Sequence, residues 1–412
     1  MMDLPTRIKR ALRSSGLRES GKFSLFPRRP ERGGGLNLYV YPAQMVHESP
    51  ILRQSASVQA SGLFSEVHLV GIVGDQVERF VDLGEGRHIV RLGRSGWPGH
   101  GAARAWARLS WFWEVFWTYQ GRPVSVVNAM SVWMLPVCWL LAKRSGAELI
   151  YATQELETET PTMVGRKKRV AKVIESALIG RCALISCVNR PIADWYMDTY
   201  GVPPPLVIRN LPDVTVTEPV DLRSRLGIDP EHRIFIHTGR LTGGRHLSEI
   251  LAAFASGPKD CVLVLLGGGE LAPMVEAAAA VNDNIFWLPP VAPGEVVSYV
   301  SAADVSLCLI ETKALSYRFS APNKLFEGLA TGHPVLCTDL PAAREFYGAA
   351  WDDWHIVDVP VDLPLFIRTL DDAKFIRFAD NFTGLPVWEE EIEPLISALG
   401  SLLSRPASHG HP

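Results

Sequence analysis

The sequence predicts an α/β protein of two doubly wound, Rossmann-like domains facing a cleft, and three observations carry that expectation. Strand-like apolar runs alternate with helical spacing in both halves, glycine-rich turns stand between strand and helix in the second half, and apolar periodicity lapses near residues 211–230. A chain of 412 residues is long enough for two hydrophobic cores.

The elements follow in order. Leu36 to Tyr41 reads as the first strand, Ser49 to Gly62 has helical spacing, and Val67 to Val70 is a second strand. Strand, crossover helix and parallel strand open a doubly wound sheet. Val124 to Asn128, Glu148 to Tyr151 and Ala183 to Val188 are further strands, separated by helices at Val132–Lys143 and Lys167–Ile179, and Val207 to Pro212 closes this half. Ile234 to His237 opens the second sheet, followed by a helix from Ser248 and by strands at Val262–Leu266, Ile285–Leu288 and Val305–Ile310.

Two loops of the second half carry chemistry. In Phe319-Ser-Ala-Pro-Asn-Lys-Leu-Phe-Glu-Gly-Leu-Ala330, Pro322 fits a first helical position, and Leu325, Phe326 and Leu329 share a buried face. Gly332 and Pro334 stop the helix before Val335. A helix start leaves N–H groups unpaired at the positive end of the helix dipole and can hold a phosphate; Lys324 adds a cation, and Glu327 is placed to accept hydrogen bonds from ribose hydroxyls. The plainer alternative is a capped helix with Lys324 and Glu327 merely solvated. The second loop, Thr238-Gly239-Arg240-Leu241-Thr242-Gly243-Gly244-Arg245-His246, joins a glycine-rich turn to two arginines suited to charge-assisted phosphate contacts. Gly267 to Gly269 end the next strand, where glycines more often serve the turn than a ligand.

These motifs resemble the donor site of GT-B glycosyltransferases, specifically glycosyltransferase family 4, and the resemblance covers most of residues 36–400. It implies that Arg240, Arg245 and Lys324 clamp the diphosphate of a nucleotide sugar, and that Pro322, Asn323 and Leu325 form the helix start. It also implies that Glu327 binds ribose, that Gly239 and Gly267 lie near the donor, and that Val291 holds the nucleobase by its backbone. Residues 1–35, rich in arginine and lysine and ending in three glycines, read as a basic mobile arm, and the resemblance implies an acceptor-side domain (36–215), a nucleotide-sugar-binding domain (216–385), and a C-terminal helix crossing back to the first domain (386–412). The implied reaction is retaining transfer of a hexosyl or related sugar to a glycan or lipid-linked acceptor in bacterial surface polysaccharide or glycolipid synthesis. No cofactor or metal is expected beyond the donor substrate.

The sequence also departs from the family pattern. Gln154 replaces a histidine, Met130 stands near another, Phe319 occupies the position of a first glutamate, and His246 stands where glycine is usual. The loop Ala43 to Glu48 lacks the usual glycines, so acceptor contacts from His47 or Glu48 compete with a plain surface role, as does a role for Glu155. Neither Gln nor Met takes up a proton near neutral pH, which leaves no general base to assign by analogy. The alternatives to an active transferase are a degenerate GT-B scaffold subunit, favoured by these departures and opposed by the intact cations, and a nucleotide-sugar 2-epimerase.

Composition bounds the rest. Hydrophobic residues make up 47% and charged residues 21%, the profile of a globular protein, and the net charge of −3 gives no argument for nucleic acid. Six scattered cysteines without CxxC spacing read as reduced core residues. The apolar run Val132 to Ala142 is too short to span a bilayer, and the N-terminus lacks a signal-peptide core, so a cytoplasmic protein is expected. Peripheral contact with the inner face of the plasma membrane is suggested by the arginine-rich residues 1–35 and by the aromatic segment Trp106–Trp117. That segment is expected to bury Trp106, Leu109, Trp113 and Phe116 in the core, with a membrane interface as the alternative.

Overall fold

The computed structural model describes residues 34–46, 48–74, 77–93, 101–212 and 218–404; His47 and the first 33 residues of the basic arm lie outside them. Two sheets organise the described residues. The first has eight strands: β1 (Leu36–Val40), β2 (Glu66–Ile72), β3 (Phe80–Asp82), β4 (Arg87–Leu92), β5 (Val124–Ala129), β6 (Glu148–Ala152), β7 (Leu184–Cys187) and β8 (Leu206–Val207). Their order is β3-β4-β2-β1-β5-β6-β7-β8, with only the edge strand β3 antiparallel. The second sheet is parallel throughout. It comprises β9 (Arg233–Thr238), β10 (Cys261–Leu266), β11 (Ile285–Leu288), β12 (Val305–Cys308), β13 (Val335–Thr338) and β14 (His355–Ile356), in the order β11-β10-β9-β12-β13-β14.

The central strands are buried end to end, as strands covered by helices on both faces must be. β1 and β10 show no exposed position, and Phe235, Leu263, Val305 and Leu336 are fully enclosed. In both sheets the strand order reverses beside the first strand, β1 or β9, which opens a crevice at the strand carboxyl ends. The two crevices face each other across the cleft.

The last helix, Trp388–Ser404, packs on the first domain although it follows the second in sequence. Ile392, Leu395, Leu399 and Leu402 share a cluster with Ile51, Val58 and Leu69, and Trp388 Nε1 donates to Ser57 Oγ at 2.8 Å. Glu391 fastens its start: one carboxylate oxygen accepts from the Arg209 backbone N–H at 2.7 Å, the other from the Arg209 guanidinium at 2.9 Å. Arg209 also reaches Glu345 of the second domain at 3.2 Å. One arginine at the domain junction thus ties three segments together.

The aromatic helix, Gly101–Tyr119, corrects a sequence expectation. Trp111, Val115 and Tyr119 face the core, while Trp106, Leu109, Trp113 and Trp117 are exposed by 41 to 68% and Phe116 is half-buried. Spacing identified an apolar stripe, yet this helix carries two, and the chosen one faces out. Among the described residues no helix is long and apolar enough to cross a membrane.

The helix Asn323–Ala330 lies directly on its sheet because Gly328 has no side chain: a Cβ there would collide with Val335 and come within 2.9 Å of Ser306. Gly328→Val is therefore expected to destabilise the fold by about 1–3 kcal/mol through overpacking, read as a lowered midpoint in chemical denaturation.

Candidate functional site

The start of helix Asn323–Ala330 is aimed at the cleft by the strand beneath it. The last two residues of β9 hold two side chains one helical turn apart. His237 Nε2 lies 3.1 Å from Lys324 Nζ, and Thr238 Oγ1 donates to Glu327 at 3.2 Å. Loss of water at this contact pulls the Lys324 pKa down to about 8 and raises that of Glu327, while enclosure pushes His237 well below its ordinary range. Pro322 sits one position earlier than the sequence reading placed it, as the extended residue preceding the helix. Leu325 buries its side chain in the core, and its amide donates to the Pro322 carbonyl at 3.0 Å. Asn323 stays exposed at the helix start.

The glycine-rich loop after β9 is fixed by backbone pairing. Gly239 N–H donates to Leu266 O and Leu241 N–H to Gly268 O, both at 2.9 Å. Gly267 belongs to this packing, since a Cβ there would collide with the Gly239 carbonyl. His246 adopts the left-handed backbone, φ +52°, so the loop keeps a glycine-like conformation with histidine in it. The Arg245 guanidinium lies 5.4 Å above the Tyr317 ring, a cation–π contact that directs it along the cleft wall. Arg240 and Gly239 are exposed, and Val291 follows β11 with its side chain packed on the second domain's core.

A cavity of about 270 Å³ lies between the domains, and its walls differ in charge. The second domain supplies Arg245, Tyr317, Ser320, Pro322 and Asn323; the first supplies Tyr41, Ser131, Gln154, Glu155, Glu157 and Asn210. Of the donor-site residues singled out in the sequence, Arg245, Pro322 and Asn323 line this cavity, and of the acceptor-side ones Glu155, Gln154 and Met130 do. Lys324 is turned inward onto His237, while Glu327, Arg240, Gly239, Gly267, Val291 and Leu325 lie outside the lining.

Glu157 was missed by sequence reading. It follows β6 in a short 3₁₀ turn, Glu157–Glu159, where no helical or strand period marks a face. Its oxygens accept from Ser131 Oγ at 2.8 Å and from Val132 N–H at 2.7 Å, and burial outweighs those bonds, pushing its pKa up to about 6. Tyr41 is raised to about 12 by burial and by the neighbouring Glu157, Glu155 and Glu48. The available signal was acid density, three glutamates in alternation at 155, 157 and 159. Gln154 accepts from Asn210 Nδ2 at 3.3 Å, and Met130 is buried at the cavity wall. Phe319 packs its ring on the core outside the lining, and its carbonyl accepts from Asn189 at 2.7 Å. With the Ser316 hydroxyl donating to Glu155 at 3.3 Å, that bond closes the cleft.

This architecture is that of the GT-B glycosyltransferases: two parallel-sheet α/β domains with a cleft at the strand carboxyl ends. Residues 232–359, in the second half of the chain, match the family described as Glycosyl transferases group 1, and the fold around them is GT-B. The chain is 26% identical over 205 residues to the alpha-monoglucosyldiacylglycerol synthase of Streptococcus pneumoniae, a match spanning 45% of this chain and 44% of that protein. HepE of Anabaena, solved with UDP and glucose, superposes with a TM-score of 0.64 at 13% identity, covering 89% of this chain and 100% of that one. The sucrose-phosphate synthase of Thermosynechococcus elongatus gives 0.65 at 15% identity, covering 92% and 100%. WaaG, a glycosyltransferase involved in lipopolysaccharide biosynthesis, gives 0.64 at 14%, covering 88% and 99%.

The raised Glu157 pKa has a measurable consequence. The folded protein binds this proton more tightly than the unfolded chain, whose glutamates titrate near about 4.3. Its contribution to stability is thus fully present below that pH and is lost as the pH rises through about 6. Glu157→Gln is expected to flatten this part of the stability profile relative to wild type, measured by thermal denaturation from pH 4 to 7.

Proposed function

We propose that the protein is a retaining glycosyltransferase that moves a hexosyl or related sugar from a nucleotide-diphosphate sugar to an acceptor hydroxyl. One observation carries this reading: the cleft cavity has a cation and an open helix start on one wall and two carboxylates on the other. Diphosphate departure concentrates negative charge on its leaving oxygen, and donors fixed beforehand on that side lower the barrier. Arg245 and the Asn323 helix start face that position, with Lys324 behind them and Arg240 at the rim; these cations would serve without a metal. Glu327, bonded to Thr238, is the ribose-binding candidate, and the Gly239, Gly267 and Val291 loops border the nucleotide.

On the opposite wall, Glu157, Glu155 and Gln154 offer acceptors to the hydroxyls of a glycan or lipid-linked acceptor. In the transfer, the bond from the anomeric carbon to the diphosphate breaks and the acceptor oxygen bonds that carbon on the same face. The acceptor's proton passes to the leaving phosphate oxygen, so no separate base is required. The UDP and glucose bound by HepE and the glucosyl chemistry named for the streptococcal relative support a hexosyl donor. WaaG's involvement in lipopolysaccharide synthesis supports a role in bacterial surface glycan or glycolipid assembly.

The site of work is the cytoplasmic face of the membrane in this proposal. Trp106, Leu109, Trp113 and Trp117 form an exposed apolar stripe, and the helix Gly165–Leu178 exposes Arg166, Lys167 and Arg169 beside Val170 and Val173. Both helices pack against the intervening helix Leu135–Ser145, which puts indoles and cations on one layer of the first domain. Indole rings settle at a lipid interface while cations attract anionic headgroups.

In thermal-shift titrations with UDP, GDP, ADP and dTDP, one nucleotide is expected to raise the wild-type melting temperature, with saturation at a hundredfold excess over Kd worth about 2.7 kcal/mol. Arg245→Ala is expected to lose most of that rise. A wild type indifferent to all four at millimolar concentration leaves the scaffold-subunit reading in place. In flotation assays, vesicles containing phosphatidylglycerol are expected to carry the wild-type protein, and the Trp106→Ser, Trp113→Ser, Trp117→Ser triple variant is expected to stay behind.

A further inference from the structure

His237 takes no part in the reaction outlined above. It stands at the end of β9, is wholly enclosed, and has the cations Lys324 and Arg245 as its charged neighbours. Its Nε2 meets Lys324 Nζ at 3.1 Å, while its Nδ1 has no hydrogen-bond partner among the described residues. A charged imidazole would be unfavourable there, because the ring is dry and its neighbours Lys324 and Arg245 are both cationic. A neutral ring has one lone pair to offer, and the atom in reach of Lys324 is Nε2.

We propose that His237 is the positioning residue of the diphosphate site: a neutral imidazole, protonated on Nδ1, accepts one N–H of the Lys324 ammonium through Nε2 and directs the other two toward the donor phosphates. This rests on the nucleotide-sugar reading of the cleft. The choice of residue has a chemical reason. A lysine held by a carboxylate is an ion pair whose charge is already compensated, whereas a lysine held by a neutral acceptor keeps its full charge for an incoming anion. An aliphatic residue would leave the long Lys324 side chain free among rotamers, and the entropy of ordering it would fall on donor binding.

The groups facing this pair come from every element packed around it. Arg245 approaches from the loop after β9, Glu327 from the same helix as Lys324, and Cys308 from the end of β12, with Cys337 beside it in register on β13. Arg245 disfavours the ammonium, whereas Glu327 and Cys308 favour it; with burial dominant, Lys324 titrates near pH 8. Donor binding is therefore coupled to protonation of Lys324. Nucleotide affinity should be level below that pH and fall above it, with proton uptake on binding along the alkaline limb.

The test combines two readouts on the full-length protein. In the first, nitrogen-15 NMR of labelled protein without ligand reports the ring directly. The expected state is Nδ1 protonated and Nε2 bare, unchanged from pH 6 to pH 7.5; an Nε2–H tautomer or an imidazolium in that range overturns the proposal. In the second, calorimetry follows binding of UDP, GDP, ADP and dTDP from pH 6.5 to 9.5 in buffers of different ionisation enthalpy. His237→Leu is expected to weaken the binding nucleotide about tenfold, the scale of one lost charge-assisted hydrogen bond. It should also move the alkaline limb to lower pH, because the acceptor that favours the ammonium is gone.

His237→Gln, which restores an uncharged acceptor, is expected to recover most of both effects. Equal behaviour of the Leu and Gln variants overturns the positioning role and leaves a packing role. Cys308→Ser should retain the alkaline limb; its disappearance in that variant would assign the titration to the thiol and overturn the coupling. Absence of binding by every nucleotide to wild type removes the donor reading and the role together. Wild-type binding that ignores both His237 variants removes the role alone.

Discussion

The cleft depends on the grip of one strand end on one helix. His237 and Thr238 at the end of β9 hold Lys324 and Glu327, which are three residues apart and so project from one side of the helix. Two ionisable side chains are thereby taken out of bulk water at the same place, and each is compensated by an uncharged partner. The helix cannot turn about its axis without breaking both contacts, and Gly328 lets it lie close enough to the sheet for them to form. Its open N–H groups are consequently aimed at one fixed position in the cleft.

That position has value only if the opposing domain is held in register with it. The Arg209–Glu345 ion pair, the Asn189 bond to the Phe319 carbonyl and the Ser316–Glu155 bond span the junction at three separate places. Each uses a polar group on a loop or an element terminus, so the joint is of the kind that can open without exposing a hydrophobic interface. The apolar part of the attachment is moved away from the cleft, to the Trp388–Ser404 helix lying on the first domain. Closure of the cavity and integrity of the chain's two halves are thus maintained by different contacts.

How much of this was readable in the sequence depended on whether a residue's neighbours lay near it along the chain. The Asn323 helix could be read because its stop signals and its Leu325, Phe326 and Leu329 face are local. The left-handed backbone at His246 was not readable, because a histidine carries no signal for it; its place in the family pattern pointed instead to a reshaped loop. Glu157 escaped because its partner Ser131 is 26 residues away and because a 3₁₀ turn has no period to recognise. His237 read simply as the end of a strand; its meaning comes from Lys324, 87 residues later, which only the sheet brings alongside. On the aromatic helix, periodicity established that stripes exist, but the partners of the core-facing side are distant in sequence: the Trp111 indole N–H donates at 3.2 Å to the carbonyl of Gly71, 40 residues away.

Charge is sorted across the cleft in a way that individual motifs do not reveal. Arg245, Lys324 and the helix dipole lie on the second domain, while Glu155 and Glu157 lie on the first. On the proposed reading, a diphosphate would be attracted to one wall and repelled by the other, so charge alone would orient it before any hydroxyl is recognised. The same sorting explains why a neutral histidine suits the position beneath Lys324. A carboxylate there would fasten the lysine equally well, but would give both walls the same sign of compensation and erase the difference between them. The raised pKa of Glu157 fits this balance: burial next to Glu155 disfavours its ionised form, so a cation or a hydroxyl donor entering from the acceptor side stabilises the wall it meets. On the proposed reading, burial and charge would thus sort which molecule enters which half of the cavity before the fine contacts are made.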